Sequence, residues 1–258
     1  VARFPRKPII YPPRLREGHP LRRGLVALWP FNPSGGSLKD ISVFRKHGSL
    51  ANMDASQDWI GSNIGSCLDF DGTDDRVDNS NINMGRYAGA MCVIFSTVTT
   101  PVGDDYIMTH RTSGTNNRLY LSVYANHATF GFGDNWQAIK TNITVTNGLW
   151  HLSLLTWNAT DAYAYVDGRA VGSYHYTLAA IPNGTMRFGS NSEAVPADFW
   201  AGRIAFAACF NRILSPQDAS TLSVDPWGLI TPRRRSYFYV QAAAGNRRRR
   251  LLICGRAA

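Results

Sequence analysis

The sequence predicts an all-β sandwich with one short helix and an extended basic arm at each end. Three observations carry this reading. Between Gly24 and Trp227, short apolar stretches with a period of two alternate with turns rich in Gly, Asn and Asp. Of the 18 acidic residues only Glu17 and Glu193 are glutamate, and the aspartates that make up the rest favour turns over helices. Charge is also partitioned: residues 1–24 carry a net +6 and residues 231–258 a net +8, so the chain's +9 leaves the body between them at −5.

A length of 258 residues suits one large β domain, and 44% hydrophobic with 17% charged residues excludes a disordered chain. No apolar run approaches the ~18 residues of a membrane-spanning helix. The acidic body argues against nucleic-acid binding by the folded core, while the arms are suited to an anionic or protein partner. The first 24 residues, with five prolines and no apolar stretch, do not read as a secretory leader.

In chain order, Pro5, Pro8, Pro12, Pro13 and Pro20 forbid a helix in the first arm and predict an extended strap anchored by Ile9, Ile10 and Tyr11. Residues 119–125 place Leu119, Leu121, Val123 and Ala125 on one face, with Tyr120 and Tyr124 on the other. Asn126-His127 is the expected turn into a strand over 128–136. Residues 149–157 and 162–168 form the next pair, and Asp167-Gly168 is a strong two-residue hairpin signal. Residues 186–190 and 200–210 read as further strands. The one helix is expected over 215–223, with Ser215 as N-cap, Pro216 at the first position and Asp218 at the capping-box position. Cys67, Cys92 and Cys209 lie in apolar strand patterns and read as buried free thiols. Cys254 lies in the tail.

The order of motifs carries a resemblance. GLVALWPFN (24–32), KDISVFRKHGSL (39–50), SCLDFDGTDDRVD (66–78), NGLWHLSLLTWNATDAYAYVDGRAVGS (147–173) and FWAGRIAFAACFNRILSPQD (199–218) resemble successive segments of concanavalin A-like, laminin-G-like domains. The resemblance implies a concanavalin A-like jelly-roll β-sandwich of two antiparallel sheets over residues 25–230, flanked by arms 1–24 and 231–258. DPWGLITPRRR (225–235) is similar to endings seen on such proteins encoded by tailed bacteriophages. That similarity implies a virion protein made in a host cytoplasm.

A retaining glycosidase needs two carboxylates ~5 Å apart. Only Asp69 and Asp71 have the right alternation, and the resemblance places them in a structural strand and turn. No GxSxG elbow, Walker loop or dinucleotide fingerprint occurs, so no enzyme is expected. Calcium is implied for many relatives, and Asp71, Asp74, Asp75 and Asp78, with Asp104 and Asp105, are the weak candidate ligands. The family's closing strand, however, reads G-x-I-D-E where this chain has Ala205 and Phe206, and no cofactor is assigned. Glycan binding needs an aromatic platform beside amides or carboxylates. Trp136 with Asp134 and Asn135, and Trp59, offer that, whereas Trp29, Trp150 and Trp157 read as core.

The arms mix cations with apolar groups, as docking segments do. Arg3, Arg6, Lys7, Ile9, Ile10 and Tyr11 at one end are the expected anchors. At the other end they are Arg233, Arg234, Arg235, Tyr237, Phe238, Tyr239, Arg247, Arg248, Arg249 and Arg250. The expectation is a non-enzymatic virion subunit, a capsid decoration or fibre-like protein. It would assemble with other virion subunits as a homo-oligomer or lattice, with a host-surface glycan as a further partner and no membrane or core nucleic acid. The alternative is a secreted, glycan-binding lectin-like module.

Overall fold

The computed structural model describes residues 4–8, 12–85, 87–111, 118–133, 137–175 and 184–231. The early strands are β1 (Arg14–Leu15), β2 (Leu25–Trp29), β3 (Ser37–Leu38), β4 (Gly48–Ala51), β5 (Trp59–Ser62) and β6 (Gly65–Asp71). Then follow β7 (Arg76–Ile82), β8 (Gly89–Ser96), β9 (Asp104–Arg111), β10 (Arg118–Tyr124), β11 (His127–Gly133) and β12 (Ala138–Thr144). The later ones are β13 (His151–Trp157), β14 (Asp161–Val166), β15 (Arg169–His175), β16 (Gly184–Phe188), β17 (Ala201–Phe210) and β18 (Ile230–Thr231). One α-helix is described, α1 (Pro216–Val224), and no helix is long and apolar enough to cross a membrane.

The strands form two eight-stranded antiparallel sheets. The first runs β12-β11-β10-β9-β16-β7-β4-β3, the second β15-β14-β13-β8-β17-β6-β5 with β2 added against β17. The fold is thus the expected all-β jelly-roll sandwich. Between the sheets lies a core that includes Trp29, Phe95, Leu121, Phe130, Trp157 and Phe188. Period-two alternation sorts the strands: Leu119, Leu121 and Val123 of β10 point into this core.

The second sheet is buried on both faces, which is why β8 and β13 read as continuous apolar runs. Its outer side chains, among them Ile94, Leu154, Phe206 and Phe210, pack under Phe4, Leu21, Leu222, Trp227 and Leu229. The covering layer is therefore the first arm, α1 and a 3-10 turn at Pro226–Leu229. Trp227 ties this layer together: its Nε1 donates to the Pro5 carbonyl at 2.7 Å, and its ring meets Phe206 edge-on at 5.6 Å. Lys7 lies over the same ring, its Nζ 5.0 Å from the centroid. It donates to the carbonyls of Pro30, Phe31 and Ser66, and burial pushes it down to about 7. β1 then pairs with β18, so the first arm and the end of the described chain run side by side.

Local signals held where they were strongest. Asp167 and Gly168 both adopt positive φ, +52° and +78°, as the two-residue turn demands. Ser215 and Asp218 form a reciprocal capping box on α1. The turn after β10 is displaced by one residue from expectation. Tyr124 pairs with His127, so Ala125 and Asn126 make the turn at φ +47° and +89°, and Ala125 leaves the apolar face. The aromatic and aliphatic register of β10 against β11 outweighs the turn preference of the local dipeptide. Cys67, Cys92 and Cys209 are buried free thiols.

Candidate functional site

The outer face of the first sheet carries the side chains that alternate with the core set. Strand register aligns Asp78, Arg187, Thr109, Tyr120 and Gly131 in one row across β7, β16, β9, β10 and β11. Tyr120 lies flat along this row: a Cβ on Gly131 would meet its ring at 1.8 Å, so only glycine fits beneath it. Tyr106 meets the Tyr120 ring edge-on at 5.1 Å. Arg187 is fixed to Asp78 through its Nε, and Arg76 donates to the other oxygen of the same carboxylate at 3.1 Å.

A second row places Arg111 directly opposite Arg118 on β9 and β10. Like charges facing each other across a ladder repel, so the pair needs an anion. Glu193 supplies it, with Oε2 2.9 Å from Arg111 Nη1 and Oε1 2.7 Å from Arg118 Nη2. The hydrogen bond from Arg111, with the charges of both arginines, holds the Glu193 carboxyl below its usual range. Glu193 belongs to the loop after β16, which roofs this face. Arg187 Nη1 donates to the carbonyls of Asn191 and Glu193 at 2.8 and 3.0 Å. Under the roof is a void of about 10 Å³ lined by Tyr106, Thr109, Tyr120, Asn191 and Glu193. Burial raises both tyrosine hydroxyls well above their ordinary range.

A side groove of about 430 Å³ is lined by Asn147, His151, Asp167, Arg169 and Ser223. His151 is buried, with Nδ1 2.9 Å from Asp167 Oδ2 and Nε2 3.0 Å from Asn147 Oδ1. A hydrolytic relay would keep one ring nitrogen for a hydroxyl nucleophile. Here both are occupied, and Ser223 Oγ donates to the Ser220 carbonyl. Asp167 also accepts from the Leu152 amide, so this constellation anchors the β14–β15 hairpin.

The residues expected from sequence are distributed as follows. Asp71, Asp74 and Asp75 do come together, with one carboxylate oxygen of each within 4.8 Å of the others. Two of the three carboxylates brace the turn: Asp71 Oδ1 accepts from the Thr73 and Asp74 amides, and Asp75 Oδ2 from the Asp71 amide. Burial pushes Asp75 up to about 6. Calcium asks for six to eight oxygens, of which these three carboxylates could supply only part. Asp78 serves Arg76 and Arg187 instead, Asp104 accepts from Ser122, and burial pushes Asp105 up to about 6. Asp69 lies 3.5 Å from Arg203, and Asp71 accepts from the Thr73 amide in the turn that follows.

Trp59 is half-buried against the core edge, and its Nε1 donates to the Gly35 carbonyl at 3.1 Å. Trp29, Trp150 and Trp157 are buried, as expected. Of the arm residues, Arg6 is exposed, whereas Lys7 is consumed inside the chain's own sandwich. Asp134, Asn135 and Trp136 lie outside the described residues, as do Arg3, Ile9, Ile10, Tyr11 and everything from residue 232 onward, Arg233–Arg235, Tyr237–Tyr239 and Arg247–Arg250 included.

Sequence reasoning missed the arginine ladder, Glu193 and the Tyr106–Tyr120 pair. Two signals pointed there: Glu193 is one of only two glutamates, and Tyr120 alternates with core residues opposite a Gly-Phe-Gly segment at 131–133.

Residues 71–220, more than half of the chain, match the family model of the concanavalin A-like lectin/glucanases superfamily. No curated protein matches the chain by sequence. Among solved structures, Trypanosoma rangeli sialidase in complex with sialic acid is similar over 78% of this chain and 33% of its own, at TM-score 0.61 and 16% identity. Domain 4 of AbnA, a GH43 extracellular arabinanase from Geobacillus stearothermophilus in complex with arabinotriose, is similar over 78% of this chain and 98% of its own, at TM-score 0.61 and 11% identity. The binding domain of botulinum neurotoxin DC in complex with SialylT is similar over 79% and 52%, at TM-score 0.55 and 14% identity. The chain thus spans about a third of the sialidase and about half of the neurotoxin domain. At these identities the likeness is one of fold.

Proposed function

Because the chain belongs to the concanavalin A-like lectin/glucanases superfamily, we propose that it is a non-enzymatic glycan-binding display subunit, held by its basic arms to neighbouring subunits of a tailed-phage particle. The observation that carries this reading is the two-sidedness of the sandwich. One side is capped by the described part of the first arm, α1 and the Trp227 turn, and β18, the last described strand, pairs with β1 there. The exposed Arg6, Arg14, Arg16, Arg22 and Arg23 make it basic. An open groove of about 670 Å³ there is lined by His19, Arg22, Arg23, Arg212 and Asp218. The opposite side is the first sheet's outer face, where aromatic rings sit beside arginine, threonine and carboxylate groups. That composition suits saccharide recognition, since rings cover apolar sugar faces and polar groups bond hydroxyls. Neighbours of the same fold solved with arabinotriose and SialylT support it.

The test compares the full chain with a full-length variant in which the seven arginines at 233–235 and 247–250 become glutamine. Light scattering is expected to show defined oligomers for the natural chain and monomers for the variant, with glycan-array binding retained by both. Monomers in both cases would overturn the anchoring role and leave the secreted lectin-like alternative. Absence of glycan binding in both would overturn the display role.

A further inference from the structure

We propose that Arg111 and Arg118 form a carboxylate-binding site for an acidic sugar, plugged in this structure by the chain's own Glu193. The inference rests on the glycan-binding reading and names its ligand class.

Two facing arginines on a ladder are unfavourable without an anion, and each side chain is mostly buried, at 14% and 17% exposure. Such a pair is a preformed seat for one carboxylate. Glu193 fills it from the loop between Gly189 and Trp200. The loop's base is pinned: Trp200 N donates to the Gly189 carbonyl at 2.9 Å, and Gly189 N to that of Ile107 at 3.1 Å. Its body is self-bonded, with Asn191 N donating to the Ala197 carbonyl and Asn191 Oδ1 accepting from the Ala197 amide. Its attachments to the sheet in the middle are the Glu193 ion pairs and the two Arg187 bonds, while nearer its ends Thr109 Oγ1 donates to the Ser190 carbonyl and Tyr106 N to the Asp198 carbonyl, each at 3.2 Å. Val195, the large aliphatic residue at the tip, points to water at 80% exposure. The self-bonded stretch 191–197 therefore lifts as a unit when another carboxylate replaces Glu193. The exchange keeps both arginines paired and returns Glu193 to water.

Under the loop, Tyr120 lies flat over Gly131 with Tyr106 against its edge and Thr109 beside them. A carboxylate on the arginines places the ring that bears it over this floor. The arginines read the charge, and the tyrosines and Thr109 read the sugar. A neutral sugar has no means of displacing Glu193. The closed loop also lowers apparent affinity in proportion to the rarity of the open state.

The test is calorimetry on the full chain, Glu193→Ala and Glu193→Ala/Arg118→Gln. The ligands are glucuronate, galacturonate and N-acetylneuraminate, with their methyl esters as uncharged controls and tetraglutamate as a non-sugar carboxylate. At least one acid sugar is expected to bind Glu193→Ala about tenfold or more tighter than the natural chain. Its ester is expected not to bind, and the double variant to lose the gain. Glu193→Gln, which keeps a hydrogen-bonding side chain in the loop, should give a smaller gain and serves if Glu193→Ala misfolds. Neutral glycans bound with no acid-sugar preference would overturn this inference and leave the glycan reading standing. No saccharide of either kind bound would overturn both. Tetraglutamate bound as tightly as the sugars would overturn the sugar specificity.

Discussion

The two outer faces of the sandwich are both covered, but by opposite chemistry. The second sheet is sealed by apolar burial: Phe4, Leu21, Leu222 and Trp227 close over Phe206 and Phe210. The first sheet is roofed by a loop whose central attachments are ion pairs and hydrogen bonds to arginine. Apolar burial of aromatic side chains amounts to several kcal/mol and is insensitive to salt. Partly exposed ion pairs contribute about 0–1 kcal/mol and are screened. The difference teaches which cover is permanent and which is releasable.

The largest effect is expected on the sealed face. Trp227→Ala removes the ring under Lys7 and against Phe206, and the bond to the Pro5 carbonyl. Loss of a buried aromatic of this kind costs about 3–5 kcal/mol, read as a lower midpoint in denaturant. If the cost is under about 1 kcal/mol, the arm is not sealed in this way.

Next in size is the pH response of Lys7. Its folded-state value of about 7 lies below the model-peptide 10.5. Between those values the unfolded chain binds the extra proton, so stability rises with pH from about 7 to about 10. Lys7→Met should remove most of that rise in pH-dependent unfolding. His110 acts at lower pH: burial pushes it down to about 4, so the unfolded chain takes up protons first as pH falls from 6.5. Stability therefore drops over that interval, partly offset by Asp75, whose folded value of about 6 favours the protonated folded state. His110→Leu is expected to flatten the acid limb, and Asp75→Asn to steepen it.

The smallest effect on stability is expected at the roof. Glu193→Gln keeps a hydrogen-bonding side chain over two mostly buried arginines and should cost about 1–2 kcal/mol, less than Trp227→Ala. It should nonetheless raise hydrogen exchange across residues 190–199, the reverse of Trp227→Ala, where stability falls and the roof stays closed.

What was legible in the sequence is what short-range chemistry dictates. The Asp167-Gly168 turn, the Ser215–Asp218 capping box and the alternation of β10 each need fewer than ten residues to specify them, and each was found. The buried second sheet was legible only in part. Its continuous apolar runs were visible, but not that the first arm covers them through Phe4 and Lys7. Ala205 and Phe206 had registered only as missing acids; both are buried under that cover, and Phe206 meets Trp227. The arginine ladder was not legible, because facing residues depend on strand register, and Glu193 arrives from a loop more than 70 residues away in sequence. The aspartate turn at 71–75 shows the converse: a metal-like composition in which Asp71 Oδ1 and Asp75 Oδ2 serve the turn's own amides.

The most direct test of the contrast between the two covers is hydrogen exchange of the full chain at about 0.05 M and about 1 M NaCl, a range over which the screening length falls severalfold. Faster exchange is expected across residues 190–199 at high salt, with protection at residues 4–8 and 226–231 unchanged. An equal response of the two regions, or a roof indifferent to salt, would contradict that contrast.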